Sequence, residues 1–157
     1  MSYALSGTVT GAPQTGFTTP GYTVASDIGP DLSNTKQYVV TAVTGTQAGV
    51  TAHSVASPFS TNMYRPKVLK TLAAVANQQQ VARNVPRNIY GRVTRKGVTI
   101  LAGQPIHVAY FKDTYDLPAG SDTADAANVR AGLSLHIGAG WAQSAGIGDT
   151  LINGVLG

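Results

Sequence analysis

An α+β chain, with an antiparallel sheet and helices gathered on one of its faces, is the fold class this sequence predicts. Three observations predict it. The first two thirds alternate apolar and polar residues in short runs bounded by Gly, Pro and Asn, the pattern of half-buried strands joined by turns. The connections between most of these runs are short and hold no helical crossover, so an antiparallel meander is the economical topology. After Pro118 the apolar residues instead recur every four positions, the spacing of one helical face. Strands first and helices last place the helices on one side of the sheet and leave its other face free. The 157 residues make about one domain, 1–157, with 1–118 mainly β and 119–157 carrying two helices.

Seven runs read as strands. "SYALSGTVT" alternates and closes at Gly11-Ala12-Pro13. "YTVASDI" lies between Pro20-Gly21 and Gly29-Pro30, and "KQYVVTAVT", β-branched and aromatic, stops at Gly45. "GVTAHSVAS" alternates and ends before Pro58. "TNMYRPKVLKT" contains Pro66, which lacks a ladder donor and so predicts an edge or a bulge. "RNIYGRVTRKGV" follows Pro86, and "PIHVAYFKDTYDL" follows Gly103-Gln104-Pro105. Between the fifth and sixth runs, residues 73–86 read as a loop punctuated by Asn77, Asn84 and Pro86, although Ala and Gln also suit a short helix.

For the first helix, Ser121 or Asp122 is the predicted N-cap, with Asp125 in the first turn, where its charge suits the helix dipole. Val129, Leu133, Ile137 and Trp141 form its apolar stripe. A second helix is expected over residues 144–156, with Ile147, Leu151, Ile152 and Val155 on one side. Gly146, Gly148 and Gly154 each cost it about 1 kcal/mol against Ala, so it needs packing to persist.

Only 11% of the residues are charged, against about 25% in soluble domains, while 43% are hydrophobic. Such a charge-poor surface suits a protein that covers much of itself with copies of itself. There is no cysteine, which excludes disulfides and thiolate metal sites. The N-terminus shows no signal-peptide pattern and no apolar run approaches a membrane span, so a soluble product that stays in the cytoplasm of the cell making it is expected.

The charges are segregated. All acids are Asp, and between Asp31 and Asp113 every charged residue is basic: Lys36, Arg65, Lys67, Lys70, Arg83, Arg87, Arg92, Arg95, Lys96 and Lys112. Residues 64–97 hold eight of the chain's eleven Lys and Arg, a local field that a polyanion would feel. Catalysis finds little support. His53, His107 and His136 form no close-spaced ligand motif, and without Glu or Cys, paired-carboxylate or thiol chemistry would rest on Asp alone. No cofactor or metal is implied.

"YRPKVLKTL", "NVPRNIYGRVTRKGV" and "YDLPAGSDTADAANVRAGLSLHIGAGWAQSAGIGDTLINGVLG" resemble the coat proteins of single-stranded RNA bacteriophages, the levivirus class. The likeness runs from about Tyr22 to Gly157 and is densest from Tyr64 onward. It implies an N-terminal hairpin, a five-stranded antiparallel sheet and two C-terminal helices. It also implies a homodimer that pairs its sheets edge to edge and exchanges helices, and an icosahedral shell of such dimers. The free sheet face would look inward and hold genomic RNA, and in several members it also binds a hairpin that represses translation. The expected location is the virion. A dimeric RNA-binding regulator that builds no shell is the alternative.

Strand alternation then assigns residues. Arg65 and Lys67 share one face, and Arg92, Thr94 and Lys96 share a face with Asn88 and Tyr90. These seven are the expected RNA contacts, with Tyr90 able to stack on a base. Ile89, Val93 and Arg95 take the opposite side, and apolar Ile89 and Val93 predict that this side meets the helices. Asn77, Gln78, Gln79, Gln80 and Arg83 are the expected inter-subunit loop, because amides both donate and accept hydrogen bonds. Val129, Leu133, Ile137, Trp141, Ile147, Leu151 and Val155 are the expected dimer helices.

Overall fold

The computed structural model describes residues 2–31, 33–74 and 84–156. Among them six strands form one antiparallel sheet in chain order: β1 Thr8–Thr10, β2 Thr18–Asp27, β3 Thr35–Thr46, β4 Phe59–Tyr64, β5 Arg87–Thr99 and β6 Ile106–Pro118. Three helices follow: α1 Ser121–Ala124, α2 Ala126–Ala142 and α3 Ser144–Asn153. The predicted class holds; a separate hairpin and a five-stranded sheet would need seven strands, and the described residues instead form one continuous sheet of six, with β1 and β2 as its N-terminal hairpin. Among the described residues no helix is long and apolar enough to cross a membrane.

Local chemistry explains where the elements differ from expectation. "GVTAHSVAS" is not a strand. Ser54 and Ser57 close a turn on each other, the Ser54 N–H donating to the Ser57 carbonyl and the Ser57 N–H to Ser54 Oγ at 3.1 Å. The segment is tied to the sheet by one backbone bond, the His53 N–H on the Val40 carbonyl at 2.8 Å, and by side chains. Gln47 Nε2 donates to the carbonyls of Gly21 and Thr44, and His53 Nδ1 accepts the Phe59 N–H at 3.0 Å. Strand β4 ends at Tyr64, before Pro66.

Pro20 and Gly21 lie inside β2, where the register against β3 slips between Thr18 and Gly21. Thr19 there has φ 45°, a left-handed conformation costly for a β-branched residue. Gly45 packs against this irregularity, since a Cβ on it would sit 2.2 Å from the Thr19 carbonyl oxygen.

The first predicted helix is broken in two. Asp125 is the N-cap of α2 rather than a first-turn residue, and its carboxylate accepts the Asn128 N–H. Helix α3 stops at Asn153 because Gly154 takes the left-handed C-cap conformation, φ 71°. Val155 therefore lies beyond it.

The chain alone has almost no core. Among the described residues only Tyr38, Val40 and Ala119 are buried hydrophobics, whereas Leu133, Ile137, Trp141, Ile147 and Leu151 stay 41% to 64% exposed. The accessible surface is 11016 Å². A compact monomer of 16.2 kDa would expose roughly 7500 Å². The excess, roughly 3500 Å² per chain, exceeds the ~1000–2500 Å² each partner gives to an obligate interface.

Candidate functional site

Residues paired across an antiparallel ladder share a face. Tyr90, Arg92, Thr94 and Lys96 of β5 lie opposite Tyr115, Asp113, Phe111 and Ala109 of β6, and Arg92, Thr94 and Lys96 lie opposite Met63, Thr61 and Phe59 of β4. Helix α2 lies over this face. The His136 and Tyr115 rings meet edge to face at 6.0 Å. A cavity of about 620 Å³ between helix and sheet is lined by Tyr90, Arg92, Tyr115, Val129, Leu133 and Ile137. A second, of about 860 Å³, lies between Tyr22, Phe59, Phe111, Ile137, Trp141 and Ile147.

The expected assignment of faces is therefore reversed. The helices cover the side of Tyr90, Arg92, Thr94 and Lys96, not that of Ile89 and Val93. The cause is that the covered side is made apolar by aromatic residues drawn from several strands. Tyr22, Tyr38, Phe59, Phe111 and Tyr115 outweigh two aliphatic residues of β5.

The seven expected RNA contacts each have a partner within the chain or a place in the covered cavity. Arg92 donates from Nε (2.9 Å) and Nη2 to one carboxylate oxygen of Asp113. Partial burial opposes the Arg92 charge, but the bond and charge of Asp113 prevail and raise its pKa. Lys96 Nζ donates to the carbonyl and hydroxyl of Thr51 at 3.0 Å and sits over the Phe59 ring; desolvation lowers its pKa. Thr94 bonds Thr61 at 3.1 Å. Asn88 is buried, its side chain bonding the Lys70 N–H and carbonyl at 2.9 and 3.0 Å. Tyr90 lines the cavity under α2. Arg65 donates to the Ser33 carbonyl, and Lys67 pairs with Asp31 at 2.5 Å. Lys67 and the Ser33 bonds hold the Asp31 carboxyl down to about 2. Asn77, Gln78, Gln79, Gln80 and Arg83 lie outside the described residues.

The opposite face is polar and low. Gln37 of β3, Ser60 and Asn62 of β4, and Gly91 and Gly97 of β5 are buried on it, while Tyr64, Arg95, Tyr110 and Lys112 rise from it. Tyr64 lies flat over Gly91, where a Cβ would come within 2.3 Å of the ring. Arg95 donates from Nε to Ser60 Oγ at 3.2 Å and from Nη2 to Gln37 Oε1, and Gln37 in turn donates to Asp27 at 2.7 Å. The guanidinium is thus oriented by uncharged hydrogen-bond partners, with the Asp27 carboxylate reached through Gln37. Lys112 sits exposed over the Tyr110 ring at 5.3 Å. Arg87, by contrast, is paired with Asp116 at 2.8 Å. Sequence alternation placed Arg95 correctly beside Ile89 and Val93 but took that face for the helix-covered one, and it passed over Tyr64, Tyr110 and Lys112. The signal that could have found them was the run of aromatic residues in alternate positions of neighbouring strands, which marks the other face as the covered one.

These features define a class: a coat subunit, made of an open sheet with one face under a helical arm and an apolar surface left for other copies. Across 99% of its length, and 100% of the other chain, the protein is 50% identical to the chain of the virus-like particle of bacteriophage ESE020, with a TM-score of 0.94. It belongs to the levivirus-type coat proteins of bacteriophages. The chain of the virus-like particle of Wenzhou levi-like virus 4 is 19% identical over 72% of this chain and 64% of that one, with a TM-score of 0.39, too distant to carry an argument. No family model and no curated protein matches the chain.

Proposed function

We propose that this chain is a structural, non-enzymatic capsid protein. Copies pair, close an icosahedral shell and hold single-stranded RNA against the sheet face that the helices leave free. The observation that carries the shell is full-length identity of 50% to a protein solved as a virus-like particle. The roughly 3500 Å² of excess surface supports it, being more than one obligate interface would take up. The single domain of 1–157 is a subunit that finds its core in its neighbours. Strand β6 is an edge of 13 residues, suited to antiparallel pairing with its copy, and the grooves beside Val129, Leu133, Ile137 and Trp141 would receive the partner's helices.

RNA contact is proposed for Arg95 and Lys112, with Tyr64 and Tyr110 as stacking surfaces, in place of the covered Arg92, Thr94 and Lys96. Cations of this kind bind phosphates by releasing counterions, and exposed tyrosines offer a face to any unpaired base. A genomic hairpin bound on the same face would make the protein a translational repressor. The site of action is the virion, after assembly in the bacterial host's cytoplasm.

Expression in a bacterium, electron microscopy and the ultraviolet absorbance ratio of the purified product test the reading. Closed particles with nuclease-protected RNA are expected. Dimers that bind RNA without particles would favour the regulator instead, and monomers without RNA would defeat both.

A further inference from the structure

The first loop of the chain is bonded to its last helix across 130 to 134 residues of sequence. Gln14 Nε2 donates to the Ser144 carbonyl at 2.9 Å, Ser144 Oγ donates to the Pro13 carbonyl, and Thr15 Oγ1 donates to the Asp149 carboxylate at 2.9 Å. Ser144 is buried, the one such residue of α3. Gly148 permits the contact, since a Cβ on it would sit 2.1 Å from Gln14 Oε1. The loop is itself braced, by the Phe17 N–H on the Gln14 carbonyl and the Gly11 N–H on the Pro20 carbonyl, so the contact leads back into the β1–β2 hairpin.

The helical arm needs such a brace. No residue of α2 is buried, and α3 holds Gly146 and Gly148 and ends at Gly154, with its apolar side exposed. At its other end the arm is joined to β6 through the Ser121 hydroxyl on the Pro118 carbonyl. Fixing both ends sets its tilt over the sheet.

We infer that residues 13–15 are a latch: they hold α3 in its own chain and so fix the angle at which Leu133, Ile137, Trp141 and Ile147 meet a second copy. This rests on the paired-copy reading above. An arm already ordered loses less conformational freedom on docking, so the latch strengthens pairing without touching the partner.

The test uses the full chain with Gln14→Ala, which removes the amide donor, and Gly148→Ala, which drives Gln14 off the helix and leaves the sheet untouched. Sedimentation equilibrium reads pairing, and hydrogen exchange of α3 and β5 amides reads local order. Gln14→Ala should exchange faster in α3, whereas in Gly148→Ala the higher helix propensity of alanine offsets that change; both should keep β5 protection and pair about tenfold more weakly, the loss of one or two modest hydrogen bonds. Unchanged pairing, with or without faster α3 exchange, overturns the inference. A wild-type chain that does not pair at all would instead overturn the paired-copy reading on which it rests.

Discussion

Arg92 and Arg95 stand three residues apart on β5 and meet opposite worlds. Arg92 lies under α2, tied to Asp113 among aromatic rings. Arg95 lies on the open face, tied to Ser60 and Gln37, neither of which is charged. One guanidinium is neutralised where a second copy would seal it in, as a charge removed from water must be. The other is held in place by uncharged partners, with no carboxylate in direct contact among the described residues. The comparison teaches that a basic strand need not present its charges to one ligand. Alternation divides them, and the partner within the chain tells which are structural.

The largest effect that can break this comparison is on RNA content. Arg95→Met with Lys112→Met should yield particles that retain far less RNA, with the slope of log affinity against log salt reduced by ~1.4 for the two lost cations, ~0.7 each. Absorbance ratios and salt titrations measure it. Arg92→Met should leave the slope alone. An equal loss from Arg92→Met would place the RNA on the wrong side for this account.

Next comes Gly91→Ala, which forces the Tyr64 ring off the open face. A cost of about 2 kcal/mol is expected, as for overpacking elsewhere, read as a lower thermal midpoint. Asp113→Ala should cost less, about 1 kcal/mol, because the Arg92–Asp113 pair is only partly buried in the single chain and water screens it. Chemical denaturation of the unassembled protein measures that.

The smallest effect concerns Asp31. Its carboxyl is held to about 2, below the ~3.9 of an unfolded chain, so its stabilisation is complete above that range and is lost as the pH falls through about 2. Lys67→Ala should raise the Asp31 midpoint, as followed by NMR titration, and leave stability at neutral pH almost unchanged.

Much of the fold was legible in the sequence. Period-two runs gave β3, β5 and β6 nearly to their ends and the second half of β2, and the four-residue spacing of Val129, Leu133, Ile137 and Trp141 gave α2. What escaped was chemistry that acts between elements. Asp125 reads equally as a first-turn acid or a cap, and only the Asn128 contact decides. "GVTAHSVAS" alternates like a strand, yet Ser54 and Ser57 bond each other before a ladder can form. The face of β5 was misjudged because Ile89 and Val93 are judged alone in a sequence, whereas burial is decided by the aromatic neighbours on β3, β4 and β6. Latch residues Gln14 and Ser144 carry no sequence signal, being ordinary polar residues brought together by the tertiary fold.

Electron cryomicroscopy of the assembled particle tests the central claim most directly. The account predicts α2 and α3 on the outer surface of the shell, with Arg95 and Lys112 lining its interior and RNA density against them. A shell with the helical side facing the RNA, and Arg95 turned outward to solvent, would contradict it.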